Sequence, residues 1–136
     1  IWDTDQDDES AQWGEVMTMA ARKRGCRGAV IDGGVRDTHR VLEQVFPIFV
    51  KYRSSNGMLG RFRITGWQVP IKIGDVFIRP GDIVFGDIDG VIVVPRDLAY
   101  DVLLRGEEIV GAESEIKHWI EEGLSTGEVV DRGGYF

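Results

Sequence analysis

The stretch that decides the fold is GAVIDGGVRD, residues 28–37. Its first five residues are small or apolar up to an Asp, which predicts a short buried strand. We expect Gly33-Gly34 to break that strand. Arg36 and Asp37 follow directly, so an Arg–Asp pair is predicted at the turn between the strand and the next element.

The flanking segments alternate between helix and strand. Apolar residues at helical spacing predict an amphipathic helix over 11–24, with Ser10 as its cap and Gly25 at its end. On the other side, a second helix is predicted over 38–44 and a strand over 47–52. This βαβα order predicts parallel strands covered by helices.

The pattern changes after residue 53, where glycines and turn signals separate short apolar runs. These runs predict four strands, at 69–71, 76–78, 83–87 and 90–94. They indicate an antiparallel or mixed β-layer. A long helix is then predicted over 98–122, interrupted at Gly106, and the Gly-rich tail 123–136 is expected to fray or to pack on another surface.

Composition narrows the class of protein. The 136 residues, 43% of them hydrophobic, suffice for one α/β domain over 1–136, and we expect a further segment to precede Ile1. A net charge of −7 argues against nucleic acid as a partner. No apolar run approaches the roughly 20 residues of a membrane span. The single cysteine, Cys26, fits a cytoplasmic protein with a structural thiol.

Three residues suggest chemistry, namely Glu15, Arg36 and Asp37. Carboxylates can share a hydrated divalent cation, and a guanidinium can bind a carboxylate with two parallel hydrogen bonds. Together they suit a small α-keto acid and its enolate. Two other interpretations stay open: Asp37 could only cap a helix beside a surface Arg, and Gly33-Gly34 could be either a turn or room for a ligand.

Three stretches in order carry a family resemblance: GAVIDGGVRD at 28–37, FPIF at 46–49, and RPGDIVFGDIDGVIVVP at 79–95. With them, the sequence over 13–123 resembles the 4-hydroxy-4-methyl-2-oxoglutarate aldolase / regulator of ribonuclease activity A (RraA-like) family. The resemblance implies an α/β/β sandwich with a short parallel βαβ part. It also implies assembly as a homotrimer or hexamer.

The resemblance implies a role for each candidate residue. Asp37 would bind Mg²⁺ or Mn²⁺ directly, and Glu15, where the family more often has Asp, would hold water molecules on the ion. The substrate would be bound by the guanidinium of Arg36 and by the helix start at Gly14, Val16 and Met17. A neighbouring subunit would contribute a Glu from its C-terminal helix, for which Glu113 is the best match.

The activity that the resemblance implies is that of a class II, metal-dependent pyruvate-type aldolase. Such a lyase cleaves a 4-hydroxy-2-oxo acid to pyruvate and a carbonyl product, with oxaloacetate decarboxylation as a side activity. A Schiff base on Lys51 or Lys72 is the less favoured alternative. Two other functions are open: a non-catalytic regulator of ribonuclease activity, and a sugar-acid lyase or dehydratase with the same metal site. The acidic loop 5–9, expected near the entrance, motivates the latter.

Overall fold

The computed structural model describes all residues, 1–136. The chain forms two compact units, Ile1–Val93 and Val94–Phe136. The expectation of a single domain over 1–136 stays a prediction. No helix is both long and apolar enough to cross a membrane.

The first unit begins with a parallel sheet and two helices. Its elements are β1 (Ala11–Trp13), α1 (Glu15–Lys23), β2 (Ala29–Val35), α2 (Thr38–Glu43) and β3 (Ile48–Arg53). The three strands lie in the order β1-β2-β3 and both pairs are parallel, which confirms the α/β prediction. The two helices contact each other, and right-handed crossovers between sequential parallel strands place both on the same face of the sheet.

The register of this sheet sets the position of the site. Trp13 pairs with Val35, and Val35 pairs with Arg53. Each of these residues is the last in its strand. The carboxyl-terminal ends of the three strands therefore lie side by side. They form one end of the sheet, its carboxyl edge.

The predicted first helix was wrong at its start. Ala11–Trp13 is a strand, because it pairs in parallel with β2, and on its other side the Ala11 N–H donates to the Asn56 carbonyl (2.7 Å). The helix begins at Glu15, with Gly14 instead of Ser10 as its N-cap residue. Helical spacing between the apolar residues could not reveal a backbone pairing with a loop more than 40 positions away.

The predicted break at Gly33-Gly34 was also wrong, since β2 runs through both residues. A Cβ on Gly34 would lie 2.7 Å from the Ser10 carbonyl oxygen and 2.5 Å from the Tyr52 ring, and one on Gly33 would clash with the Gln12 side chain. These glycines let the chain's own segments approach the strand. Neither makes a turn or leaves room for a ligand.

The rest of the first unit confirms the predicted β-layer. The strands are β4 (Ile71–Ile73) and β5 (Val76–Ile78), which are antiparallel, and β6 (Ile83–Gly86) and β7 (Val91–Val94), which form a second pair. A Cβ on Gly86 would lie 2.7 Å from the Phe49 ring, so β6 packs closely on β3. The first of these strands begins two residues later than expected.

The second unit is helical. A short 3₁₀ turn, Arg96–Leu98, leads into α3 (Ala99–Glu121), which continues through Gly106 without the predicted interruption. Of the two expectations for the tail, packing on another surface is confirmed, since the tail forms α4 (Thr126–Asp131), which contacts α3. Ser125 and Glu128 cap this helix reciprocally, and Val129 is fully buried.

The acidic loop is tied to the sheet through Asp7. Its carboxylate accepts hydrogen bonds from the Ser10 N–H (2.9 Å), the Tyr52 hydroxyl (3.2 Å) and the Gln12 amide. Desolvation acts to raise the pKa of Asp7, but these hydrogen bonds together outweigh it and leave the pKa below its ordinary value. Burial, followed by the interaction with Asp7, raises the pKa of Tyr52 to about 12.

Replacing Gly34 tests the close approach at β2. We expect Gly34→Ala to lower the free energy of unfolding by about 1–3 kcal/mol, because its Cβ would press on the backbone and on a ring. The control is Gly106→Ala in α3, where a Cβ meets nothing within 4 Å and should stabilise by up to about 1 kcal/mol. Urea unfolding of both variants gives the comparison, and equal effects would contradict this packing.

The Asp7 network predicts a pH-dependent stability. A pKa lowered by folding adds stability above the ordinary Asp value of 3.8, and this contribution is lost as the pH falls through the lowered pKa. The wild type should therefore exceed Asp7→Asn in unfolding free energy most clearly above about pH 5. Urea unfolding between about pH 3 and 7 measures the difference, and a difference independent of pH would contradict the assignment.

Candidate functional site

The site lies at the carboxyl edge of the parallel sheet. Gly14 follows β1, Arg36 follows β2, and Arg53 ends β3. Ligands of α/β proteins commonly bind at this edge, because the chain leaves the parallel strands there in loops that are free of the ladder. The edge therefore joins residues that lie far apart in sequence.

Two of the predicted residues lie against Gly14. A Cβ on Gly14 would sit 3.1 Å from Arg36 Cγ and 3.1 Å from Asp37 Oδ2. Arg36 Nε lies 3.8 Å from Asp37 Oδ2, and the two side chains are 54% and 46% exposed. At that distance and exposure the ion pair is weak, so both side chains can instead contact a ligand.

Arg36 is also bordered by Gly57, which the sequence did not single out. A Cβ on Gly57 would lie 3.1 Å from Arg36 Nη1. The hydrogen bond from the Ala11 N–H to the Asn56 carbonyl brings this loop to β1. Two glycines thus leave a channel for the Arg36 side chain.

Asp37 does not serve as a side-chain cap. It precedes α2 with φ 52° and ψ 34°, a left-handed conformation that Asp tolerates better than most residues. Its carbonyl accepts from the Arg40 and Val41 N–H groups, whereas its carboxylate makes no capping hydrogen bond. Asp37 is therefore the N-cap residue of α2 by position, as the capping interpretation had it, but its carboxylate does not cap the helix and remains available.

The start of α1 holds the remaining predicted residues of the first unit. Glu15 is half-buried, and its carbonyl accepts from Gln44 Nε2 (3.2 Å). The pKa of Arg40 is raised by Glu43 first and by the Glu15 carboxylate next. The Thr18 N–H donates the first main-chain hydrogen bond of the helix, to the Gly14 carbonyl. The N–H groups of Val16 and Met17 therefore have no partner within the helix.

An open cleft of about 390 Å³ lies at this edge. Its lining combines two guanidinium groups, one carboxylate and three hydroxyl groups; it consists of Val35, Arg36, Asp37, Thr38, Arg53, Ser54 and Ser55. Sequence reasoning missed the three residues from β3 and its loop. Arg53 directly follows the strand predicted over 47–52, which was expected to run parallel to the strand before Arg36. That position was the signal that could have identified Arg53.

The donor set at the cleft can be compared with what metal ions require. No group of three or more His, Cys, Asp or Glu side chains lies together anywhere in the structure. A closed cage of the kind that binds structural zinc therefore does not fit. A hydrated Mg²⁺ or Mn²⁺ fits, because Mg²⁺ takes one or two carboxylates and keeps water or substrate oxygens as its other ligands.

Two other candidates lie elsewhere. Glu113 is on α3 of the second unit, where its carboxylate is 3.8 Å from Lys117 Nζ; its place in a neighbouring subunit's site stays a prediction. Lys51 Nζ lies 2.5 Å from Oδ1 of the buried Asp32. Neither Lys51 nor Asp32 belongs to the cleft lining.

Comparison with known proteins identifies the family. The profile of the RraA-like family, described as Aldolase/RraA, matches residues 1–93. The chain belongs to the RraA-like family. The resemblance inferred from three short stretches is thereby confirmed.

RraA-like relatives carry several names. A Halalkalibacterium halodurans protein, provisionally named a 4-hydroxy-4-methyl-2-oxoglutarate aldolase, is 35% identical over 70% of this chain and 45% of its own. A structure titled as novel cellulases from gut-associated microbes is 58% identical, with a TM-score of 0.81 over 84% of this chain and 51% of that one. The RNA-processing inhibitor RraA from Thermus thermophilis is 25% identical, with a TM-score of 0.59 over 69% and 57%. The chain thus spans about half the length of these proteins.

Proposed function

We propose that the chain carries the site of a divalent-metal-dependent carbon–carbon lyase. Its substrate would be a 4-hydroxy-2-oxo acid, cleaved to pyruvate and a carbonyl product, with oxaloacetate decarboxylation as a side activity. The observation that carries the proposal is the loose Arg36–Asp37 pair at an open cleft. The aldolase name of the Halalkalibacterium relative supports the same reaction class.

Separate residues bind the substrate and stabilise its negative charge in the proposed reaction. Arg36 binds the carboxylate of the oxo acid through its planar fork and offsets the negative charge that develops on the enolate. The N–H groups of Val16 and Met17 add hydrogen-bond donors at the start of α1. Gly14 keeps the space in front of Arg36 and Asp37 open.

Cleavage requires one proton to leave and one to return. The C4 hydroxyl loses its proton, the C3–C4 bond breaks, and its electrons pass into the enolate of pyruvate, which is then protonated at C3. Glu15, the first residue of α1 after Gly14, is the proposed holder of the departing proton or of the water that takes it. A divalent ion, when bound, supplies Lewis-acid polarisation of the keto oxygen, and Asp37 would hold it with Glu15 acting through water.

Other functions are less well supported by the geometry. Glycoside hydrolysis, suggested by the name of the cellulase structure, needs a pair of carboxyl groups across the scissile bond. Asp37 is the one carboxylate in the cleft lining. The name of the Thermus protein favours regulation by protein contact as a second candidate, and a sugar-acid lyase or dehydratase remains a third.

We also propose that the protein works as a homotrimer or hexamer in the cytoplasm. Large apolar side chains are exposed in both units, among them Phe77 (55%), Phe85 (59%) and Leu103 (56%). Exposed apolar surface on this scale favours association. A neighbouring subunit could then supply Glu113 to the cleft.

Asp37→Asn tests the proposed function. Asn also tolerates the left-handed backbone, so this variant removes charge with little strain, unlike Asp37→Ala. We expect pyruvate release from 4-hydroxy-4-methyl-2-oxoglutarate and from oxaloacetate, dependent on Mg²⁺ or Mn²⁺ and abolished by EDTA. The variant should lose about 10²–10⁴-fold in kcat/KM, several kcal/mol of transition-state stabilisation.

The matched control is Asp75→Asn, at a fully exposed turn whose carboxylate lies 3.8 Å from Lys72. It should retain wild-type kinetics. Turnover that survives EDTA, or that Asp37→Asn leaves unchanged, would contradict the lyase proposal. Ribonuclease inhibition unaffected by Asp37→Asn, without turnover by the wild type, would favour the regulator.

A further inference from the structure

A second cationic group in the cleft has no function in the lyase proposal. Arg53 ends β3 and pairs in register with Val35, next to Arg36. It lines the same cleft as Arg36 and Asp37. Adjacent strands lie about 4.8 Å apart, so the two arginines leave the sheet from neighbouring positions.

The surroundings of Arg53 leave its guanidinium without a counter-ion. Five other cations of the first unit have carboxylate partners; they are Arg36, Arg40, Lys51, Arg61 and Lys72. Arg53 makes no ion pair in the structure. Two guanidinium groups thus face one carboxylate at the cleft, within a chain of net charge −7.

The two serines beside Arg53 differ in what they can offer a ligand. The Ser54 hydroxyl donates to the Glu9 carbonyl (2.7 Å) and accepts from the Asn56 N–H (3.1 Å). The Ser55 side chain is exposed and takes part in no hydrogen bond within the protein. Ser55 therefore provides a free donor next to a free guanidinium.

We infer that Arg53, with Ser55, forms a second anion subsite that selects oxo acids carrying a second carboxylate. This inference deepens the proposed function and rests on it for the position of the first carboxylate at Arg36. A five-carbon diacid, with C–C bonds of about 1.5 Å, is long enough to bridge groups on adjacent strands. A charge-assisted contact at the second carboxylate favours the diacid over an oxo acid that ends in a methyl group.

The test compares two ligands that differ only at that end. Calorimetric titration of the full chain with Mg²⁺ present measures binding of 2-oxoglutarate and of 2-oxopentanoate, which has the same number of carbons and one carboxylate. We expect the wild type to bind the diacid about 10- to 100-fold more tightly. Arg53→Gln should remove this preference while changing 2-oxopentanoate binding less than about two-fold.

Arg63→Gln is the matched control, since Arg63 is also exposed and unpaired in the first unit but lies outside the cleft lining. It should retain the preference. Equal binding of both ligands by the wild type, no binding of the diacid, an equal loss for both ligands in Arg53→Gln, or the same loss in Arg63→Gln would each overturn the subsite. Because binding needs no turnover, an inactive protein that still shows the Arg53-dependent preference would refute the lyase proposal alone.

Discussion

Main-chain hydrogen bonds hold β1, β2 and β3 in a parallel register in which all three strands end at the same level. Every candidate group of the cleft depends on that register. Gly14, Arg36 and Arg53 are separated by 22 and 17 positions in sequence, and the ends of three paired strands bring them to one edge. A slip of one strand by one residue would turn every side chain of that strand to the other face and would separate the cleft residues.

Glycines serve two different purposes around this edge. Glycine is required at positions 33 and 34, because Gln12, Ser10 and Tyr52 pack directly on β2 and a Cβ would clash with them. Gly14 and Gly57 instead border the side chain of Arg36, and Gly14 also borders Asp37. The first pair therefore stabilises the fold, and the second pair leaves the charged groups accessible to a ligand.

Sequence reasoning found the residues that directly follow predicted elements. Arg36 and Asp37 come after a buried strand, so local patterns sufficed for them, whereas Glu15 was predicted inside a helix over 11–24 and is the first residue of α1. The strand at Ala11–Trp13 was missed because its partners are the distant Gly34 and Asn56. Gly57 was missed for the same reason, because its position beside Arg36 follows from loop placement, which apolar periodicity does not encode. Arg53 directly follows the strand predicted over 47–52, so the rule for the ends of parallel strands could have found it.

The central claim is that Asp37 and Arg36 together hold a divalent ion and the oxo acid that it polarises. A crystal structure of the protein with Mn²⁺ and oxalate, a planar mimic of the pyruvate enolate, tests it most directly. The account predicts anomalous Mn²⁺ density within about 2.2 Å of an Asp37 carboxylate oxygen, the remaining ligands being water and oxalate, with the oxalate also hydrogen-bonded to Arg36. Mn²⁺ bound only at other carboxylates, or oxalate bound without contact to Arg36, would contradict it.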